Sequence, residues 1–237
     1  MNNNIAAEPI QLFLAVYFYL LENELNSSKN ELSEVKFQSE EANTDEHLKK
    51  YFKKYILEHN DISKTELKSI LIKNDTKSNT IDIGKLVNYK IINVFLPEEL
   101  SKEQKAEITR LKESVYTNPD LFLEISDGEN TYFESLELKS TKNIKIPGSS
   151  VQQVLPFEWV IFVKRNEDSV TISTGYYINS ITEKLPFPDR SPRPQIGFKT
   201  LTEWNIANRI IQENTLVIQI TDKLNNENPE LTKYSEH

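Results

Sequence analysis

The chain has 237 residues, 38% hydrophobic and 27% charged, with a formal net charge of −8. That is enough for one domain with a substantial core, and it excludes a chain disordered throughout. Cysteine is absent, which excludes disulfides, thiolate metal sites and cysteine nucleophiles and fits a reducing compartment. Imidazole is limited to His47, His59 and His237, with no His-x-x-x-His or His-Glu-x-x-His spacing, so a zinc hydrolase is not expected.

Along the chain, Pro9 to about Asn23 predicts a helix apolar on nearly all faces. Its apolar run, Ile10 to Leu21, is too short to span a bilayer and lacks the flanks of a signal peptide, so a buried helix and an intracellular protein are expected. Asn26 to Asp45 is polar, an exposed helix or a loop. "DEHLKKYFKKYILEH" spaces Leu48, Tyr51, Phe52, Tyr55 and Ile56 at helical intervals. "SKTELKSILIKN" opens with Ser63-x-x-Glu66, a capping box, and predicts another helix. "SKEQKAEITRLKESV" predicts a further helix, with Ile108, Leu111 and Val115 on one side.

After Pro119 the pattern turns to strands: "DLFLEI", "YFESLELKS", "FEWVIFVKR" and "SVTISTGYYI". "KTLTEWNIANRIIQEN" then reads as a helix, followed by "TLVIQIT". The expected class is α+β, or α/β with a mixed sheet. The expected division is a helical N-terminal subdomain over residues 1–95 and a core over 96–237.

Asp127-Gly128-Glu129-Asn130 is a strong turn signal between two β-rich runs. A hairpin centred there puts Asp120 directly opposite Glu137, with Cβ atoms roughly 5 Å apart and side chains on one face. Lys139, two residues on, shares that face. Two carboxylates held that close repel, and a cation between them relieves the repulsion.

"PD", sixteen residues, then "ELK" (Pro119-Asp120 and Glu137-Leu138-Lys139) resembles the PD-(D/E)xK nuclease signature. The sequence that follows resembles the EcoRV-like branch of type II restriction endonucleases. The resemblance covers about residues 113 to 200. It implies a restriction-endonuclease-like fold, a mixed β-sheet core flanked by helices. It implies Mg²⁺ held by Asp120, Glu137 and the Leu138 carbonyl, with Lys139 orienting or activating the attacking water. It further implies double-stranded DNA as partner, a homodimer matched to a palindromic site, no membrane, and the bacterial cytoplasm. Mg²⁺ suits these residue types because it is hard and takes oxygen ligands while keeping waters. Glu113 and Glu124 are further acids whose alternative role is an ordinary surface charge.

Two polar segments are candidates for contact with DNA. In "STKNIKIPGSSVQQVLPFEW", Gln152 and Gln153 can fork onto adenine, and Lys142, Asn143, Ser149 and Ser150 can reach bases or phosphates. The alternative is a polar loop with a capping serine. In "LPFPDRSPRPQIGFKT", prolines hold a loop extended and present Asp189, Arg190, Arg193 and Gln195, with Lys184 and Lys199 flanking. The alternative is a rigid structural loop with local ion pairs. The rival functions are a structure-specific repair or junction-resolving nuclease and a non-enzymatic interaction protein. The acidic total does not exclude nucleic acid, since residues 184–199 carry Lys184, Arg190, Arg193 and Lys199 against Asp189.

Overall fold

The computed structural model describes residues 8–27, 32, 44–73, 78–111, 119–148, 157–166, 169–182 and 195–219. These form a mixed α+β fold with mixed sheets and four helices.

Helix α1 (Pro9–Ser27) is buried along most of its length, as its all-round apolar sequence requires. Phe13, Leu14, Val16 and Phe18 are fully buried, and Phe18 packs against Trp159. Its few polar side chains grip the sheet. Gln11 donates to Glu134 at 2.9 Å and accepts from the Trp159 indole at 3.0 Å. Glu22 accepts from the Thr174 amide and hydroxyl. Asn26 exchanges two hydrogen bonds with the Ile172 backbone, which partners an edge strand that would otherwise expose them.

Helix α2 (Thr44–Glu58) buries Leu48, Phe52 and Ile56, three members of the expected stripe. Helix α3 (Lys102–Leu111) buries Ile108.

The central sheet has the order β3-β4-β5-β7-β8, from β3 (Lys90–Phe95), β4 (Leu121–Ser126), β5 (Thr131–Thr141), β7 (Trp159–Arg165) and β8 (Val170–Tyr176). β3, β4 and β5 are antiparallel neighbours, β7 lies parallel to β5, and β8 returns antiparallel. Side-chain alternation gives the sheet two faces. Leu121, Leu123, Ile125, Leu136, Leu138, Trp159, Ile161 and Val163 join α1 and α2 in the main core. On the other face Phe122 and Phe133 pack with Leu100 and Ile108, and Val160 and Phe162 pack with Ile196 and Leu201.

Two expected helices are corrected. Residues 63–74 do not continue the capping box into a helix: the Asp61 carboxylate takes both the Ser63 amide and hydroxyl. The chain then forms β1 (Ser69–Lys73), parallel to β11 (Thr215–Gln219) and antiparallel to β2 (Ser78–Asp82). The C-terminal helix α4 (Phe198–Asn208) stops six residues short of Asn214. Arg209 instead turns inward to pair with Glu22 at 2.7 Å and opens β10 (Arg209–Gln212). Glu213 and Asn214, with φ of 47° and 63°, make the two-residue turn into β11, the backbone of a type I′ hairpin. Residues 1–95 therefore carry three strands besides their helices. β3 pairs with β4 and β1 with β11, so hydrogen-bonded sheets run across residue 95.

Among the described residues no helix is long and apolar enough to cross a membrane.

Gly175 sets the approach of α4 to β8. A Cβ there would lie 3.0 Å from Leu201 Cδ1 and 3.6 Å from Asn205 Oδ1, and Asn205 donates to Ser173 and to the Thr174 carbonyl. Gly175→Val is expected to cost about 1–3 kcal/mol by overpacking, measured as a lower urea midpoint at unchanged slope.

Candidate active site

The hairpin has the expected register. β4 and β5 pair from Ser126↔Thr131 outward to Leu121↔Leu136, and the next step places Asp120 opposite Glu137. The turn that fixes this register is Asp127 to Asn130. The Asp127 carboxylate accepts from the amides of Asn130 (2.7 Å) and Glu129 (2.9 Å) and from the Tyr132 hydroxyl (2.8 Å). Gly128 has φ 97°, where a side chain would be strained.

Asp120 stands just before β4. Its Oδ2 accepts from the Leu138 amide at 2.8 Å, tying the two strands together where the ladder ends. An extended residue sends its N–H and C=O to the same strand edge, so the Leu138 carbonyl faces the Asp120 side as well. Its Oδ1 lies 2.7 Å from the Lys49 ammonium of α2. Glu137 is 4% exposed, and its Oε1 lies 2.5 Å from the Lys139 ammonium. The register pairs Glu137 with Val160 and Lys139 with Phe162. Glu137 and Lys139 therefore sit on the sheet face away from α1, while the Asp120 carboxylate, at the ladder's end, reaches the Leu138 amide and Lys49 of α2.

Lys49 was not expected here. Its sequence signal was no more than a lysine beside an apolar helical stripe. Glu158 was also passed over as part of a core strand. It is 4% exposed and, one residue before Trp159, alternates onto the Glu137 face. Glu124 is tied to Asn93 at 2.6 Å, four strand positions from Asp120 and so about 13 Å away. Glu113 lies outside the described residues.

Of the expected DNA contacts, Lys142 and Asn143 are exposed in the turn after β5. Their carbonyls accept from Lys164 at 2.5 and 3.0 Å, and the Asn143 amide donates to Thr141. Gln195 opens β9 (Gln195–Gly197), which pairs with β6 (Lys145–Pro147) through Pro147↔Gln195. The Gln195 carbonyl accepts from the Thr182 amide at 3.0 Å. Lys199 is exposed on α4 beside Glu203. Ser149, Ser150, Gln152, Gln153, Lys184, Asp189, Arg190 and Arg193 lie outside the described residues. The residues flanking their two segments do meet: Pro147 precedes one, Gln195 follows the other, and the two are paired.

Among the described residues no three His, Asp or Glu side chains cluster as a metal cage. A divalent cation here would bind two carboxylates and complete its shell with backbone and water oxygens, which is ordinary for Mg²⁺. The donors are all hard oxygens, which suits such an ion. Compared with protein-family models, curated proteins and solved structures, the chain matches none.

The hydrogen bonds from Asn130, Glu129 and Tyr132 hold the Asp127 carboxyl well below the usual carboxylate range. A depressed folded-state value adds stability above the unfolded value of about 3.9, lost as pH falls below it. Asp127→Ala is therefore expected to lower the melting temperature at pH 7. The gap from the parent should narrow on acidification below about pH 4; a gap constant with pH would mean that the turn does not depend on this charge.

Proposed function

We propose that the chain is a Mg²⁺-dependent type II restriction endonuclease, hydrolysing phosphodiester bonds at a specific site in double-stranded DNA. The observation that carries this reading is the β4–β5 register, which opposes Asp120 to Glu137 at one end of the hairpin, with Lys139 against Glu137. The core strands supply the rigid frame that such a constellation needs. The PD-(D/E)xK resemblance names the same three residues.

In this reading Asp120, Glu137 and the Leu138 carbonyl would hold Mg²⁺. When bound, the ion supplies Lewis acidity to the phosphate and lowers the pKa of its water. The Leu138 amide fixes Asp120 in orientation. The Lys139 ammonium lies where it can hydrogen-bond a phosphate oxygen or the attacking water, adding positive charge where the transition state becomes more negative. Water attacks phosphorus, the bond to one bridging oxygen breaks, and that oxygen leaves with a proton. The β6–β9 pair favours sequence-specific cutting over shape-specific cutting, because it joins the flanks of the two segments that carry Gln152, Gln153, Arg190 and Arg193. The homodimer and the bacterial cytoplasm belong to the same proposal.

Digestion of mixed-sequence DNA with Mg²⁺ tests it directly. Discrete fragments support it, structure-dependent nicks point to a repair or junction-resolving nuclease, and intact DNA points to an interaction protein. Asp120→Asn and Glu137→Gln are expected to abolish cleavage and keep specific binding in Ca²⁺; parental rates in either would remove the metal site.

Lys139→Ala is expected to cost orders of magnitude in rate. Lys142→Ala, in the exposed turn, should instead weaken binding with a shallower salt slope. Arg190→Ala or Arg193→Ala is expected to cost about 1–3 kcal/mol on the cognate site and much less on random DNA, read by competition titration at fixed salt. An unchanged cognate-to-random ratio in both would assign specificity elsewhere.

A further inference from the structure

The backbone of Lys49 is positioned by the packing of its neighbours on α2. Leu48 and Phe52, on either side of it along α2, are 1% and 0% exposed, and α2 lies against β3 and β5. That seat brings the Lys49 ammonium to 2.7 Å from Asp120 Oδ1, while Oδ2 takes the Leu138 amide. Lys139 does the same for Glu137. The protein alone thus sets an ammonium against each of the two carboxylates. The Lys49 side chain is 26% exposed, so its flexible stem has room to swing away, whereas Asp120 is fixed by the hairpin.

We infer that Lys49 is a resident counter-ion on Asp120, which a divalent metal must displace and which then turns to the nucleic-acid phosphate. This rests on the nuclease reading of Asp120 and Glu137. A dication must first displace an ammonium that already neutralises Asp120, so metal binds weakly to the free protein. A phosphodiester arriving with the metal accepts the displaced ammonium and takes up one of the two positive charges that the ion adds. Metal and phosphate therefore bind cooperatively, with Lys49 as the group that couples them. The coupling keeps the site poorly loaded with metal until nucleic acid is present.

The first measurement is Mn²⁺ titration of the full chain without nucleic acid, following free Mn²⁺ by electron paramagnetic resonance. Lys49→Met is expected to bind Mn²⁺ about tenfold more tightly than the parent, within the range usual for coupled sites. Lys49→Arg, which keeps the charge, should stay near the parent, and Lys49→Met with Asp120→Asn should lose the site. Circular dichroism verifies the fold, and Lys49→Gln carries the same expectation should Met disturb α2. Equal or weaker Mn²⁺ binding in both neutral variants overturns the inference, and the nuclease reading survives if Asp120→Asn still removes the site. Mn²⁺ binding indifferent to Asp120→Asn, or absent from every form, overturns both.

The second measurement is binding of a mixed-sequence duplex in EDTA and in Ca²⁺. Lys49→Met is expected to bind like the parent in EDTA and more weakly than it in Ca²⁺. An equal loss in both conditions would make Lys49 a constant phosphate contact and overturn the displacement.

Discussion

The register between β4 and β5 is the constraint on which the rest depends. Side chains alternate faces, so a slip of one residue would exchange the two faces of β5. Leu136 and Leu138 would leave the core under α1, and the charged pair Glu137 and Lys139 would enter it. Two separate forces hold the register. At one end the Asp127 carboxylate and the positive φ of Gly128 fix the turn. At the other the Asp120 carboxylate takes the Leu138 amide. The same carboxylate that closes the ladder is the one a metal would use, so the site's geometry and the hairpin's integrity share one residue.

The strands of the central sheet were legible because each obeys a local rule. "DLFLEI" and "YFESLELKS" are β-rich and separated by a turn with one dominant geometry, and their pairing follows from counting outward. Helix α1 was legible from an apolar run too continuous to face water on any side. Residues 63–74 failed because a capping box is only a local preference. Asp61 competes for the same donors, and although one partner of β1 is β2, close by in sequence, the other is β11, well over a hundred residues later. The overrun of α4 has the same origin. Nothing near "NRIIQEN" signals that Arg209 pairs with Glu22, 187 positions earlier on α1, yet that pairing and the turn at Glu213-Asn214 end the helix.

The candidate site divides the same way. Asp120, Glu137 and Lys139 belong to one hairpin, so alternation sufficed to bring them together. Lys49 and Glu158 come from other elements, and only the packing of α2 and β7 on the hairpin brings them near. Alternation also removes Glu124 as a neighbour of Asp120, since four strand positions separate them. The small β6–β9 pair was not legible at all: three residues each, with a proline in one strand, give no periodic signal. It is nonetheless the feature that joins the flanks of the two polar segments.

Net charge is a poor guide to this site for a physical reason. Some of the acids are paired within the fold: the largely buried Glu22 with Arg209, and nearer the surface Asp61 with Lys90 and Glu99 with Lys53. The two pairs nearer the surface contribute little stability, but all three confine charge to short range, and screening weakens it further beyond about 10 Å. What an approaching phosphate meets is the local arrangement. Around the hairpin end Lys49 and Lys139 cancel Asp120 and Glu137, while Lys142 and Lys145 stand exposed at the end of β5 and on β6. An acidic chain can therefore present paired charges beside a cationic margin. Under the proposed nuclease function a polyanion would enter there without the long-range attraction that a basic protein would exert, and selectivity would come from contacts made at close range.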